Sequence, residues 1–152
     1  MSTPAKITIQ PLTTSDQQTW LALWQGYQAF YKTEIAASTS QITWHRLLDP
    51  DEPMFGALAL VNGEAVGLVH WIFHRSSWTV GNYCYLQDLF VADHQRGGGI
   101  GRQLIEHVYA TAKAANCSRV YWLTHESNDT AMQLYDRIAE RSGFVQYRKR
   151  LD

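Results

Sequence analysis

The chain has 152 residues, of which 45% are hydrophobic and 18% charged, and its formal net charge is −1. This length predicts one globular domain, residues 1–152, with a sizeable core. The balanced charge argues against a nucleic-acid partner, because the only cationic cluster is Arg148-Lys149-Arg150 near the end of the chain.

Composition also indicates a compartment. Cys84 and Cys117 have neither metal nor redox spacing, so we expect reduced thiols in a cytoplasmic protein. Residues 1–11 lack the apolar run of a signal peptide, and no run approaches the ~18 apolar residues of a membrane helix. His70 and His74 share one face of a strand, but no third ligand is evident, and no metal site is expected.

Periodicity of the apolar residues predicts the secondary structure. Alternation marks strands, and spacings of three and four residues mark helices. In chain order the predicted elements are strand 6–10, a helix from Thr14 or Ser15 to Tyr31, loop 33–40, a short helix around 42–48, strands 55–61, 65–73 and 83–91, helix 100–115, strand 119–124, a helix opened by Asn128, and strand 144–150. Asn62-Gly63 predicts a tight hairpin turn between the second and third strands.

The first helix carries an aromatic stripe that ends at Tyr27 and Tyr31. These two side chains either pack in the core or face a substrate. The same alternatives apply to Trp44, Trp71 and Trp78, which together with the tyrosines could enclose a cation.

A glycine-dense turn joins strand 83–91 to the following helix. Four of the ten glycines lie within residues 97–101, flanked by Arg96 and Arg102. A helix N-terminus has unsatisfied N–H groups and a partial positive charge, and glycine lets a ligand approach the backbone closely. The pattern predicts a phosphate or pyrophosphate site, the alternative being a turn that only links strand and helix.

Two common nucleotide motifs do not fit this turn. A Walker A loop needs Gly-Lys-Ser/Thr, whereas Gly101 is followed by Arg102 and Gln103. A dinucleotide fingerprint starting at Gly97 has Arg102 in place of its last glycine, and no acid follows at about 20 residues.

The turn resembles the Arg/Gln-x-x-Gly-x-Gly/Ala loop of the GNAT (Gcn5-related) N-acetyltransferases. Residues 128–135 and 142–144 resemble the downstream Asn…Ala…Leu-Tyr…Gly-Phe signature of that family, at a matching spacing. The resemblance implies an α/β fold with a mixed central sheet of about six to seven strands flanked by about four helices. Residues 85–91 and 121–128 are similar to the diamine acetyltransferase branch and its yeast histone- and polyamine-acetylating relatives.

The resemblance also implies acetyl-CoA as co-substrate. The glycine turn would hold the pyrophosphate, strand 89–91 would pair with the pantetheine arm, and a backbone N–H near Leu89 would polarise the thioester carbonyl. The strands matching residues 86–91 and 120–124 splay apart in the family to admit that arm. The implied cofactor-binding residues are Leu89, Phe90, Val91, Arg96, Gly97, Gly98, Gly99, Ile100, Gly101, Arg102, Asn128, Asp129, Thr130 and Ala131.

Tyr135 matches the family tyrosine that protonates the departing thiolate. A phenol and a thiol have similar pKa values, so this proton transfer is nearly balanced. Asn128 lies seven residues earlier, on about the same helical face. Asp88 is the nearest carboxylate that could act as a base, but strand alternation points its side chain away from Gln87 and Leu89.

The acceptor is expected to be a primary amine of a small molecule or peptide, contacted by Tyr27, Tyr31 and Gln87. Two departures from the family pattern stand out. Gln87 occupies a position that is usually acidic in the diamine branch, and seven residues instead of three separate Tyr135 from Gly143, which predicts a helix longer by about one turn.

The hypothesis is therefore an acetyl-CoA-dependent N-acetyltransferase, homodimeric like many relatives. Two alternatives remain: a non-catalytic acyl-CoA-binding module of the same fold, and a phosphate-sugar or nucleotide binder that uses only the turn.

Overall fold

The structure, a computed structural model, describes residues 6–152. The chain divides into two compact units, one extending to Trp122 and the other comprising Leu123–Asp152. The first unit contains a five-stranded sheet in the order β1-β2-β3-β4-β5. The strands are β1 (Ile7–Pro11), β2 (Met54–Val61), β3 (Glu64–His74), β4 (Tyr83–Val91) and β5 (Arg119–Tyr121). The first four pair antiparallel, and β5 pairs parallel to β4.

The described part of the chain contains four α-helices. They are α1 (Gln17–Phe30), α2 (Ala37–Leu48), α3 (Ile100–Ala114) and, in the second unit, α4 (Asp129–Ile138). None of the helices formed by residues 6–152 combines the length and hydropathy needed to span a bilayer.

The sheet of the first unit has a helical layer on each face. Neighbouring residues of a strand point to opposite faces, and on β3 Gly67 faces Leu104 of α3, while Leu68 packs with Trp20 of α1. The α1 side forms an aromatic core cluster of Trp20, Trp24, Trp44, Leu47, Leu58 and Leu68. On the other face, α3 buries Ile100, Leu104, Ile105, Val108 and Ala112.

Two irregularities in β4 shape its surroundings. A register shift pairs His70 with Asp88 but Trp71 with Leu86, so Gln87 is an extra residue that bulges from β4. Pairing with β5 covers only Tyr83 to Tyr85. Within the described residues, the edge of β4 away from β3 is therefore unpaired from residue 86 to 91.

Most predicted elements are confirmed within one or two residues, including the Asn62-Gly63 turn, whose φ angles of +50° and +86° are those of a tight hairpin. The loop predicted for residues 33–40 was wrong from Ala37 onward, because α2 begins there. Ser40 is buried within this helix and accepts a hydrogen bond from Trp24 Nε1 at 3.1 Å, a tertiary contact that its polar neighbours do not indicate.

The end of the chain differs most from the prediction. Residues 139–152 belong to no strand of the described sheet, so the predicted strand 144–150 was wrong and the sheet has five strands rather than six to seven. A β-prone segment becomes a strand only where a neighbour supplies backbone partners, and Phe144 and Tyr147 are 89% and 94% exposed.

Two further elements are shorter than predicted. The strand predicted for residues 119–124 ends at Tyr121, where pairing with β4 stops, and it is half-exposed rather than buried. The longer helix expected after Tyr135 was wrong because α4 ends at Ile138. The next positions on its apolar stripe are Arg141 and Ser142, so continuing the helix would bury nothing.

Candidate active site

The glycine turn forms an open cradle at the start of α3. Gly97 and Gly99 have φ angles of +85° and +81°, the left-handed region that favours glycine. Gly99 is the residue before the first helical turn, and its carbonyl accepts the N–H of Gln103 at 3.1 Å. A Cβ at either glycine would meet nothing within 4 Å. The first N–H groups of α3 thus face open space that an anion can fill.

The two arginines beside the turn are held by the protein. Arg96 donates from Nε to the carbonyl of Val91 at 3.0 Å and pairs with Asp93 at 2.8 Å, and its guanidinium lies 4.7 Å from the ring centre of Phe30. Arg102 pairs with Glu106 one helical turn later, at 2.9 Å. Arg96 therefore ties the turn to the end of β4, and both guanidinium groups keep their positive charge near the cradle.

The unpaired edge of β4 leads away from this cradle. Leu89, Phe90 and Val91 pair on one side with β3, opposite Val69, Leu68 and Gly67. Their other edge carries no strand in the described residues, which leaves backbone groups available to an extended ligand. Pairing with β5 ends at Tyr85, and the splaying of residues 86–91 from 120–124 that the family resemblance implies stays a prediction.

A buried chain of polar contacts lies on the α1 side of β4. Trp20 Nε1 donates to His70 Nε2 at 2.9 Å, and His70 Nδ1 lies 2.9 Å from Asp88 Oδ2. The His70 side chain is 4% exposed and that of Asp88 is 14% exposed. The Tyr27 side chain lies close enough for the charge of Asp88 to act on its hydroxyl.

The environment of Tyr27 keeps its hydroxyl protonated. Burial raises the pKa of Tyr27 far above its ordinary value, and the negative charge of Asp88 raises the pKa further. Tyr27 also stacks on Trp24, with ring centres 5.3 Å apart, and contacts Tyr31 at 5.0 Å. These ring contacts fix the position of the Tyr27 side chain beside the polar chain.

Tyrosines extend this surface along β4 and β5. Tyr85 stacks on Tyr121 with ring centres 5.0 Å apart, and the Tyr121 hydroxyl lies 2.7 Å from His74 Nε2. Burial, followed by the charge of Asp88, raises the pKa of Tyr85 above its ordinary value. Asp88 thus lies within electrostatic reach of tyrosines on both α1 and β4.

The predicted acceptor-binding side chains are partly brought together. Tyr27 and Tyr31 are in contact, whereas Gln87 is exposed at the bulge. The predicted cation cage of five aromatic residues is not formed. Trp44 and Trp71 are buried, at 3% and 4% exposure, and Trp78 is 86% exposed.

The second unit carries the remaining predicted residues. Asn128 precedes α4, its carbonyl accepts the N–H of Met132 at 3.0 Å, and its side-chain amide donates to Thr124 at 3.4 Å. Asp129 and Thr130 are exposed in the first turn of α4, and Ala131 and Tyr135 lie on its half-buried stripe. Asn128 lies just before α4, so the expected common helical face of Asn128 and Tyr135 stays a prediction.

Sequence reasoning missed the contact between Trp20, His70 and Asp88. It considered His70 only as a metal ligand, and residues 6–152 contain no group of three or more His, Cys, Asp or Glu side chains suited to a metal ion. Strand alternation placed the Asp88 side chain away from that of Leu89, but it gave no sign that this face of β4 brings Asp88 to His70. A histidine inside the apolar strand predicted for residues 65–73 was the available signal, and only the fold pairs it with Asp88.

Comparison with known proteins identifies relatives along nearly the whole chain. The model of the acetyltransferase (GNAT) family matches residues 17–139. The chain is 35% identical to the D-amino-acid N-acetyltransferase HPA3 of Saccharomyces cerevisiae over 146 residues, covering 95% of this chain and 91% of that protein. It is 29% identical to the uncharacterized N-acetyltransferase YhfO of Bacillus subtilis, covering 91% of this chain and 94% of that protein.

A solved structure shares the fold. The aminoglycoside N-acetyltransferase AAC(6')-Iy in complex with CoA matches with a TM-score of 0.84 at 15% identity, covering 100% of this chain and 99% of that chain. The predicted fold class and the predicted likeness to yeast relatives are both confirmed.

Proposed function

The chain belongs to the acetyltransferase (GNAT) family and is an acyl-CoA-dependent acetyltransferase, and we propose that it transfers the acetyl group of acetyl-CoA to a primary amine of a small molecule or peptide. The amine attacks the thioester carbonyl directly in a ternary complex. A C–N bond forms, the C–S bond breaks, the nitrogen loses a proton and the CoA sulfur gains one.

The arrangement of β4 carries this proposal. The strand has the open glycine cradle beyond one end, an unpaired edge along residues 86–91, and the Asp88 carboxylate on its α1 side. An acyl-CoA needs an anion site for its pyrophosphate and backbone partners for its amide-containing arm. An amine acceptor needs a polar, partly dry surface beside the thioester.

Roles follow for the predicted residues. Residues 96–102 hold the pyrophosphate, residues 89–91 pair with the pantetheine arm, and residues 128–131 add contacts to the cofactor. Tyr135 protonates the leaving thiolate, since a phenol holds its proton at neutral pH and has a pKa close to that of a thiol. Assembly as a homodimer stays a prediction.

Asp88 adds an anionic group on the acceptor side. Its carboxylate receives a hydrogen bond from His70 Nδ1, and none of the lysines and arginines in residues 6–152 forms an ion pair with it. A largely buried carboxylate that pairs with none of the described lysines and arginines favours a cationic ligand. We assign to it the binding of the acceptor's ammonium group before deprotonation, the role for which neutral Gln87 is unsuited.

The test is acetyl-CoA-dependent thiol release with a panel of amines. D-amino acids, L-amino acids, diamines, an aminoglycoside and a lysine peptide are each titrated at fixed acetyl-CoA, while calorimetry measures acetyl-CoA binding. At least one amine should stimulate thiol release, and the N-acetylated product should appear by mass spectrometry.

Asp88→Asn, which keeps the shape of the side chain, should raise the KM for that amine about tenfold or more and leave acetyl-CoA affinity unchanged. Gln87→Glu is the matched variant at the exposed neighbour. If acetyl-CoA binds but no amine is acetylated, the proposed function is wrong. If Asp88→Asn leaves the amine KM unchanged, the role of Asp88 is wrong.

A further inference from the structure

His70 joins α1 to β4 through both ring nitrogens. Its Nε2 lies 2.9 Å from Trp20 Nε1, and its Nδ1 lies 2.9 Å from Asp88 Oδ2. Trp20 is 1% exposed and His70 is 3% exposed, so water does not compete for either contact. Both ring nitrogens of His70 are therefore hydrogen-bonded inside the protein.

The chemistry of these partners determines where the imidazole proton is. An indole N–H can only donate, so Nε2 of His70 must accept and carries no proton. The proton of the neutral ring is then on Nδ1, which donates to the Asp88 carboxylate. Adding a proton to Nε2 would place two N–H donors against each other in a dry interior, at the cost of the buried hydrogen bond.

The fixed tautomer has a consequence for Asp88. The carboxylate receives a hydrogen bond from His70 Nδ1, and the nearby Tyr27 hydroxyl stays protonated because burial raises its pKa. The donating imidazole is neutral, so it orients the carboxylate without placing a positive charge beside it. The Asp88 side chain, 14% exposed, thus presents a carboxylate whose orientation the protein fixes.

We propose that His70 is a positioning residue for the acceptor: Trp20 locks its proton on Nδ1, and His70 then aims the Asp88 carboxylate at the ammonium group of the amine substrate. This inference rests on the proposed function. It differs from a purely structural link between α1 and the sheet, because it requires a donor at the Nδ1 position and not merely a filled volume.

Two substitutions of His70 separate these roles. The side-chain amide of asparagine lies close to the Nδ1 position and can still donate to Asp88. That of glutamine reaches the Nε2 position, where it can accept from Trp20 but leaves Asp88 without this donor. His70→Gln should raise the amine KM about tenfold with kcat and acetyl-CoA affinity within about twofold of wild type, whereas His70→Asn should stay within about threefold of wild type in all three quantities.

The lock itself is tested at Trp20. Trp20→Phe removes the donor to Nε2 and keeps an aromatic ring in place. Trp24→Phe is the matched control, because Trp24 is also buried on α1 but donates to Ser40 instead of to His70. Two-bond ¹H–¹⁵N correlation spectra of histidine-labelled protein report which ring nitrogen carries the proton. His70 should be the Nδ1–H tautomer in wild type and in Trp24→Phe, and should lose that single pattern in Trp20→Phe.

Each result decides the proposal. A proton on Nε2 of His70 in wild type overturns it. Equal increases of the amine KM in His70→Asn and His70→Gln also overturn it, because loss of packing alone would produce that result. If a His70 variant does not fold, the comparison of Trp20→Phe with Trp24→Phe gives the same decision from amine KM and spectrum together. Wild-type protein that acetylates no amine overturns the proposed function, whereas an active His70→Gln variant with unchanged KM overturns only the role of His70.

Discussion

Gly99→Ala separates backbone strain from ligand binding, because the chain contains a matched glycine. Gly99 and Gly63 have φ angles of +81° and +86°, and a Cβ at either would meet nothing within 4 Å. An alanine in this left-handed conformation costs about 1–2 kcal/mol at each position. Both variants should therefore lose similar stability, which for a chain of this length is a fall in Tm of about 3–8 °C.

Only Gly99 lies at the N-terminus of α3. Its Cβ would project into the open space of the cradle, or the turn would relax and misdirect the first N–H groups of the helix. We expect the Kd for acetyl-CoA to rise about tenfold, which corresponds to ~1.4 kcal/mol. Gly63→Ala, in the hairpin between β2 and β3, should leave this Kd unchanged.

Calorimetry with acetyl-CoA and thermal unfolding of the same samples measure both quantities. If both variants keep the wild-type Kd for acetyl-CoA, the assignment of the turn as the pyrophosphate site is refuted. Equal Kd increases would show that lost stability, and not the cradle, weakens binding.

Two further predictions concern other parts of the chain. Tyr135→Phe should lower kcat about a hundredfold with an unchanged acetyl-CoA Kd, since it removes only the proton donor. Tyr147→Phe, at an exposed tyrosine of the same unit, should change neither kcat nor Kd. An unaltered kcat in Tyr135→Phe would contradict the acid role. Burial, and secondarily the charge of Cys117, raises the pKa of Cys84 from 9.0 to about 12. The protonated Cys84 thiol therefore contributes its full stabilisation below pH 9, and this contribution is lost as pH rises toward 12. Unfolding free energies of wild type and Cys84→Ala should therefore converge across that range. At pH 8, iodoacetamide should modify Cys117 in the native protein but Cys84 only on unfolding. Rapid labelling of Cys84 in the native protein would contradict its burial.

The amino-acid sequence determined the features whose causes are local. The glycine turn, the amphipathic stripe of α3 and the Asn62-Gly63 hairpin depend on residues within a few positions of each other, and the structure confirms each. Two motifs at the right spacing were enough to indicate the family. The roles given to Tyr135 and to residues 128–131 stay predictions that the variants above can test.

Only the tertiary structure decided which segments pair and which side chains meet. Residues 144–150 have strand-like composition but no partner strand in the described sheet, and pairing between β4 and β5 stops at Tyr85. Trp20, His70 and Asp88 come from three elements, and a single extra residue at Gln87 sets which of them share a face. Local periodicity carries no information about such contacts, because each depends on a hydrogen-bond partner 18 or 50 positions away.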